Sequence, residues 1–306
     1  PPSPSFLGVR EFNNYNLAEL IPYIDWTPFF RTWELAGNYP RILKDKVVGD
    51  AAQSLFDDAQ VMLKRLVEEK WLMANGVIGF YPANSAGDDV EIYFDENRDA
   101  VRTMVPFIRQ QMKKTSGRPN FCLADFIAPK NSGVADYIGG FAVTTGHNIE
   151  KKLNEFIDDY DDYSEILLKA LADRLAEAFA EKMHEQVRKE FWGYQKDEEL
   201  TNEQMIKEKY IGIRPAPGYP ACPDHSSKPQ LFRLLDASEK ASIHLTESFA
   251  MTPSSSVSGY YFSHASSQYF GIGKISKDQV SDYAARRDIA LEEAERWLSS
   301  NLNYAH

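Results

Sequence analysis

Apolar residues recur at every fourth position between Leu167 and Phe191, and this spacing predicts the longest helix of the chain, over residues 163–194. The apolar stripe consists of Leu167, Leu171, Leu175, Phe179, Met183, Val187 and Phe191. A stripe of this kind is typical of a helix face that packs against a core. We expect the polar face to be solvated; it contains Asp173, Glu177, Glu181, His184 and Arg188.

Three other segments of the chain also have helical spacing. Residues 47–72 predict a helix, because Leu55, Ala59 and Met62 continue into a further apolar group at Leu63, Leu66 and Val67. Residues 97–115 predict a helix with a proline interruption, and residues 276–302 predict two short helices.

Several other segments have the pattern of strands. Residues 75–95 predict two strands joined by a turn, and residues 121–129 and 136–146 predict one strand each. Residues 245–264 predict strands broken by a Ser-rich turn, and 268–275 predict another strand. Strands and helices do not alternate strictly, so the pattern favours an α+β fold with a mainly antiparallel sheet over a doubly wound fold.

The segment IRPAPGYPACPDH, residues 213–225, is unusually dense in proline. Proline fixes φ, removes a backbone donor and restricts the residue before it, so this segment fits neither a helix nor a central strand. We predict a stiff loop whose shape is set before anything binds. Loops of this kind are common places for recognition, and the segment contains Arg214, Tyr219, Cys222, Asp224 and His225.

Composition and charge narrow the function classes. The 306 residues have a formal net charge of −11, which argues against nucleic acid as a partner. No apolar run approaches the roughly twenty residues that cross a membrane. Cys122 and Cys222 are too few for a disulfide framework, so a reducing compartment is expected. Residues 1–16 contain Pro1, Pro2 and Pro4 and are interpreted as a linker remnant.

Familiar catalytic patterns do not account for this chain. Cys222 and His225 form a C-x-x-H pair, but no second pair supplies the remaining ligands of a zinc site. The same pair as nucleophile and base would need a third orienting group, and nothing in the sequence marks one. G-x-S-x-G, Walker and G-x-G-x-x-G motifs are missing from the sequence. We therefore predict a binding site without catalytic or metal-ligating residues.

The residue types suggest what such a site could bind. Arg214 can hold a carboxylate with two parallel hydrogen bonds. Asp25, in an apolar stretch, could pair with an ammonium or a sulfonium, and Tyr219 and Tyr269 offer flat faces to a ring or a cation. The alternative is structural: Asp25 caps a helix, Arg214 pairs with a core carboxylate, and the tyrosines pack.

Several motifs resemble, in order, the activation domain of cobalamin-dependent methionine synthase, which binds S-adenosylmethionine. The motifs in this sequence are YIDWTPFF, WELAGNYPRIL, FYPANSAGDD, KALADRLAEAFAEKMHEQVRKEFWGY, GIRPAPGYPACPDH, LTESFAM, VSGYYFSH, KISKDQVSDYA and ERWLSSNLNY. The resemblance covers residues 20–304 nearly end to end. It implies one C-shaped α+β domain over residues 17–306, with a long curved, mainly antiparallel sheet flanked by helices.

The resemblance also implies the site. Asp25 matches the position that meets the methionine amino group, and Arg214 matches the position near the methionine carboxylate. Tyr269 matches a family tyrosine, whereas Phe270 stands where some relatives have tyrosine. Glu177 and Glu208 match acidic positions near the ligand. The backbone that would line the nucleoside is Pro215, Ala216, Pro217, Gly218 and Tyr219.

The implied function is repair within a cytoplasmic methyltransferase of methionine biosynthesis. S-adenosylmethionine would donate its methyl group in the reductive methylation of cob(II)alamin, which regenerates methylcobalamin. Cobalamin would be held by a separate module of the full-length enzyme, because this chain lacks a D-x-H-x-x-G motif. Flavodoxin or a flavoprotein reductase would supply the electron. The alternatives are a domain that senses S-adenosylmethionine without methyl transfer, and a metal-dependent hydrolase that uses Cys222 and His225.

Overall fold

The computed structural model describes residues 1–115 and 117–305 and is built around a six-stranded sheet in the order β4-β3-β2-β5-β8, with β1 paired to β2. The strands of this sheet are β1 (Gly8–Tyr15), β2 (Met73–Ala86), β3 (Asp89–Tyr93), β4 (Val101–Pro106), β5 (Asp136–His147) and β8 (Ser256–Tyr261). A separate two-stranded ribbon consists of β6 (His244–Leu245) and β7 (Met251–Thr252). All of these strands pair antiparallel.

Helices cover both faces of the sheet. They are α1 (Thr27–Thr32), α2 (Gly49–Glu68), α3 (Ile149–Asp158), α4 (Asp162–Gln186), α5 (Asn202–Ile206), α6 (Lys228–Leu235), α7 (Ala237–Lys240), α8 (Lys277–Arg287) and α9 (Leu291–Trp297). Successive side chains of a strand point to opposite faces, so Ile78 joins the core with α2 and α4, and Val77 joins the core with α6. The α+β prediction with a mainly antiparallel sheet is confirmed.

Helix α4 packs closely on the sheet. Every residue of its predicted apolar stripe, from Leu167 to Phe191, is buried. A Cβ at Gly76 of β2 would lie 3.1 Å from the Phe179 ring, so the lack of a side chain there lets the helix approach the sheet. The α-helix ends at Gln186, and one π-helical turn, Val187–Phe191, continues it. The predicted helix is therefore confirmed in position, with a change of winding at its end.

Other predictions from the pattern also hold. Residues 47–72 contain α2, residues 75–95 cover the β2–β3 hairpin except for the first two residues of β2, and residues 136–146 lie in β5. Residues 245–264 contain β7 and β8, and residues 276–302 contain α8 and α9.

Three local predictions are wrong. Residues 97–115 contain β4 rather than a helix, because Val105 pairs with Val90 of β3 and Pro106 cannot continue a helix. Residues 121–129 form a 3-10 turn, Leu123–Phe126, in which the Asp125 carboxylate accepts a hydrogen bond from the Cys122 backbone N–H. Residues 268–275 have no strand, since their backbone bonds go to the loop at Pro220 and to Asn301.

The interpretation of residues 1–16 as a linker is also corrected. Gly8–Tyr15 forms β1, in which Gly8 lies opposite Phe80 of β2. Upstream of it, the Ser5 N–H and hydroxyl both donate to the Phe191 carbonyl at 2.8 Å. The prolines that suggested a linker end at Pro4, and the sequence that follows them is free to pair.

Candidate functional site

A groove of about 500 Å³ lies between α4, the start of α1 and the proline-rich loop. The predicted site residues that line it are Asp25, Glu177, Glu208, Arg214, Pro215, Ala216, Tyr219 and Tyr269. Positions from widely separated parts of the sequence thus meet at one groove. Other residues also line the groove but were not predicted from the sequence; they include Tyr23, Arg174, Glu181 and Tyr210.

Asp25 has a local structural task as well as a place in the groove. Its Oδ1 accepts a hydrogen bond from the Thr27 backbone N–H at 3.0 Å, at the first residue of α1. Asp25 therefore satisfies one of the free donors at that helix start, as the structural alternative proposed. The carboxylate lines the groove at the same time.

The proline-rich loop is tied to the sheet along one side. Ile213 and Phe262 exchange both backbone hydrogen bonds at 3.0 Å, and the Tyr260 N–H donates to the Pro215 carbonyl at 2.8 Å. The loop then folds back, with the Gly218 N–H bonded to the Cys222 carbonyl at 2.9 Å. These bonds hold Arg214, Pro215 and Ala216 beside the groove.

Pro217 and Gly218 lie in this turn, between Ala216 and Tyr219, which line the groove. Gly218 has φ +95°, and a Cβ there would lie 2.1 Å from Cε1 of His225. His225 therefore packs directly beneath the turn. Its Nδ1 lies 3.1 Å from Nζ of Lys228, which also donates to the Phe249 carbonyl.

The two reactive groups of the loop are structural. Cys222 is buried, its Sγ donates to the Ala216 carbonyl at 3.1 Å, and burial raises the pKa of the thiol far above neutral pH. A protonated thiol is a poor nucleophile, so the hydrolase alternative loses its reactive group. Residues 1–115 and 117–305 contain no cluster of three or more His, Cys, Asp or Glu suited to a metal ion.

Arg214 belongs to a buried polar cluster on the face of α4 that was predicted to be solvated. Its guanidinium contacts Glu181, His184 and Tyr210 at distances of 2.9–3.2 Å. Glu181, His184 and Arg188 are all buried, which corrects the solvated-face prediction. The physical reason is that the chain after α4 returns over this face and supplies opposite charges, including Glu198, which pairs with Arg188 at 2.7 Å.

Two tyrosines extend this cluster toward the groove. The Tyr210 and Tyr269 hydroxyls are 2.9 Å apart, and the Tyr269 hydroxyl accepts a hydrogen bond from the Arg214 backbone N–H at 3.0 Å. Tyr219 is exposed beside the groove. Phe270 is placed outside the groove, against Phe121 at a ring-centroid distance of 5.8 Å, because neighbouring side chains of an extended segment point in opposite directions.

The groove has more negative than positive charge. Asp25, Glu177 and Glu208 line it, and within the described part of the chain none of them has a basic side chain within ion-pairing distance. Burial raises the pKa of Glu208, with Arg214 lowering it and Glu181 raising it. The cation of Arg214 is already neutralised by Glu181. The groove is therefore suited to a ligand that contains a positive charge.

The missed residues had a signal in the sequence. Arg174, Glu177 and Glu181 are spaced i, i+3 and i+7, so they lie on one face of α4. Once Glu177 is assigned to a site, Arg174 and Glu181 follow from this spacing. Tyr23 and Tyr210 had no comparable signal, because their position depends on contacts distant in sequence.

Comparisons with known proteins agree with this architecture. The family model described as "Vitamin B12 dependent methionine synthase, activation domain" matches residues 16–288. A solved structure described as "Crystal Structure of the MetH Reactivation Domain bound to AdoHcy" is similar, with 55% sequence identity and a TM-score of 0.96. The alignment covers 100% of this chain and 93% of that chain. In the described residues of this chain, no helix has both the length and the apolar character to cross a membrane.

Proposed function

Because this chain belongs to the family of activation domains of vitamin B12-dependent methionine synthase, we propose that its groove binds S-adenosylmethionine. The similar solved structure is described as bound to AdoHcy, the product that remains when S-adenosylmethionine gives up its methyl group. The groove lies between α4 and residues 213–219 and is partly open, as a donor that must meet another module requires.

The observation that supports this best is the set of carboxylates without basic partners. S-adenosylmethionine has a sulfonium and an ammonium, and Asp25, Glu177 and Glu208 provide negative charge around them. In this assignment Asp25 meets the ammonium, Arg214 meets the carboxylate, and Pro215, Ala216 and Tyr219 line the nucleoside. A preformed loop lowers the ordering cost of binding.

The chemistry needs little from the protein beyond positioning. The sulfonium is already an activated methyl donor, so the site does not need a base or a nucleophile. Cobalamin, held by a separate module of the full-length enzyme, would accept the methyl group after a one-electron reduction. The groove's residues hold the donor and leave S-adenosylhomocysteine bound when the methyl has left.

The finer assignments follow from this role. We propose that the isolated chain makes no methionine by itself, that flavodoxin or a flavoprotein reductase supplies the electron, and that the enzyme works in the cytoplasm. A domain that only senses S-adenosylmethionine would bind it equally well. The two differ when a cobalamin module and a reductant are added, because only methyl transfer yields methylcobalamin.

Binding is tested by calorimetry with S-adenosylmethionine on the wild type and on Asp25→Asn. Asparagine keeps the oxygen that accepts from the Thr27 N–H and removes the negative charge. We expect the wild type to bind S-adenosylmethionine and Asp25→Asn to bind it roughly ten- to hundredfold more weakly, as for loss of a charged hydrogen bond.

The matched control is Asp45→Asn. Asp45 also accepts backbone hydrogen bonds, from Val47 and Val48, but it lies outside the groove. The Asp45→Asn variant should bind S-adenosylmethionine with the affinity of the wild type. A wild type that gives no binding heat would end the proposal, and equal affinity in Asp25→Asn would remove Asp25 from the site.

A further inference from the structure

We propose that Glu181 and His184 are positioning residues, which hold Arg214 so that one edge of its guanidinium stays free for the carboxylate of the ligand. This inference rests on the proposed function, because it assigns a role toward S-adenosylmethionine to residues outside the predicted site. Both residues lie on α4, and both were predicted to face solvent.

Glu181 occupies the end of the guanidinium. Its Oε1 lies 3.2 Å from Nη1 of Arg214, and its Oε2 lies 2.9 Å from Nη2. A carboxylate bound through both terminal nitrogens fixes the plane of the guanidinium as well as its position. The Glu181 side chain is only 8% exposed, so water competes little for this pair.

His184 and Tyr210 fix the same nitrogen from the side. Nδ1 of His184 lies 3.0 Å from Nη1, and the Tyr210 hydroxyl oxygen lies 3.2 Å from it. A guanidinium only donates hydrogen bonds, so Nδ1 must be the acceptor and the His184 proton must lie on Nε2. Burial, together with the charges of Arg188 and Arg214, lowers the pKa of His184 well below its usual value, which agrees with a neutral ring.

A count of donors identifies the free edge. Arginine has five N–H groups: one on Nε and two on each terminal nitrogen. Nη1 has three acceptors around it, and Nη2 has one. Among residues 1–115 and 117–305, Nε of Arg214 makes no hydrogen bond. The N–H of Nε and the second N–H of Nη2 are parallel and match the two oxygens of a carboxylate.

In this proposal the free edge faces the groove. The Arg214 side chain lines the groove and is 17% exposed. Because Glu181 neutralises the charge, the site attracts a carboxylate less by net charge than by the geometry of two fixed donors. The arrangement therefore predicts discrimination between ligands with and without a carboxylate.

The test compares S-adenosylmethionine with its decarboxylated analogue, which keeps the ammonium, the sulfonium and the nucleoside. Calorimetry on the full chain gives the ratio of the two affinities in the wild type and in Glu181→Gln. We expect the wild type to prefer the carboxylate form and the ratio to fall roughly tenfold in Glu181→Gln, as one charge-assisted hydrogen bond is lost.

The control is Glu165→Gln, on the same helix, where Glu165 pairs with Lys169 outside the groove. It should leave the ratio unchanged. An unchanged ratio in Glu181→Gln would overturn the positioning role, and a raised ratio would do so too, because Glu181 would then only reduce the attraction of Arg214. A wild type that binds neither ligand would instead overturn the proposed function.

A second pair of variants covers the case in which Glu181→Gln does not fold. His184→Asn can present an oxygen near the place of Nδ1, whereas His184→Phe removes the acceptor. We expect the affinity ratio to fall in His184→Phe and to be largely retained in His184→Asn. Equal ratios in the two variants would show that the acceptor at His184 does not position Arg214.

Discussion

At the scale of single residues, the proline-rich loop depends on the contact between Gly218 and His225. The imidazole occupies the space that a side chain at residue 218 would need, and the backbone there has a φ that L-residues rarely adopt. Proline content predicted a stiff loop, but it could not predict this packing. His225 looked like a candidate metal ligand or base, whereas its contacts with Gly218 and Lys228 make it a support for the turn.

Gly218→Ala should therefore destabilise the protein by about 3 kcal/mol or more, because backbone strain of about 1–3 kcal/mol adds to a steric clash. Gly87→Ala is the matched control, since Gly87 also has a positive φ but has nothing within 4 Å of an added Cβ. The free energy of unfolding of Gly87→Ala should fall by only about 1–2 kcal/mol. Urea unfolding measures both, and equal losses would contradict a role for His225.

Sequence reasoning singled out Asp25 and Arg214 because each is unusual in its local context. It missed Glu181 and His184 because a polar helix face is normally solvated. Their burial depends on Arg214, which is 33 residues from Glu181 and 30 residues from His184 along the chain. A local sequence pattern does not show that a residue so distant along the chain will bury Glu181 and His184.

At the scale of elements, local periodicity identified α2 and α4 but failed for β4. A helix stripe is a property of one segment, whereas β4 is defined by its pairing with β3. The same limit applies to β1, whose residues pair with residues of β2 that lie 59 to 72 positions later, from Tyr15 with Ala74 to Gly8 with Phe80. Local periodicity alone therefore did not predict β1 and β4, although it did predict β5 and β8.

The loop and α8 are joined by an ion pair that also depends on distant residues. Oδ2 of Asp224 accepts hydrogen bonds from Nη1 of Arg287 at 2.6 Å and from the Tyr283 hydroxyl at 2.8 Å. The side chains of Asp224 and Arg287 are only 3% and 13% exposed. Helix α8 thereby anchors the end of the loop that forms one wall of the groove.

Arg287→Met should destabilise the fold by about 3–5 kcal/mol, since it leaves the buried Asp224 carboxylate without its cation. Lys64→Met is the control, because Lys64 and Glu68 form an exposed pair at 3.9 Å. We expect little change in the control. Chemical denaturation followed by circular dichroism compares them, and a similar small loss in both would argue against the anchoring role.

At the scale of the whole molecule, stability should depend on the protonation of two histidines. Burial, with Arg188 and Arg214, lowers the pKa of His184, and partial burial, with Lys228, lowers that of His225. A depressed folded-state pKa means that the unfolded chain binds protons first as the pH falls. The stabilisation by the neutral rings is therefore complete above the unfolded value of about 6.5 and is lost below it.

We expect the free energy of unfolding to fall between pH 7.5 and pH 5.5. His184→Asn should reduce the slope by up to about 1.4 kcal/mol per pH unit, the limit for one proton. Urea titrations at several pH values measure the slope. The same slope in the variant and the wild type would show that folding does not lower the pKa of His184.

The groove is assembled from residues that lie between Tyr23 and Tyr269. Its floor and walls come from the first helix, the longest helix, the loop and a segment near the carboxyl end. A chain still emerging from the ribosome cannot complete this groove before Tyr269 has been made, so a groove that could hold the proposed ligand forms only after residues 23–269 are all present. Under the proposed function, a copy that stops before Tyr269 would lack part of the binding site and should bind S-adenosylmethionine more weakly.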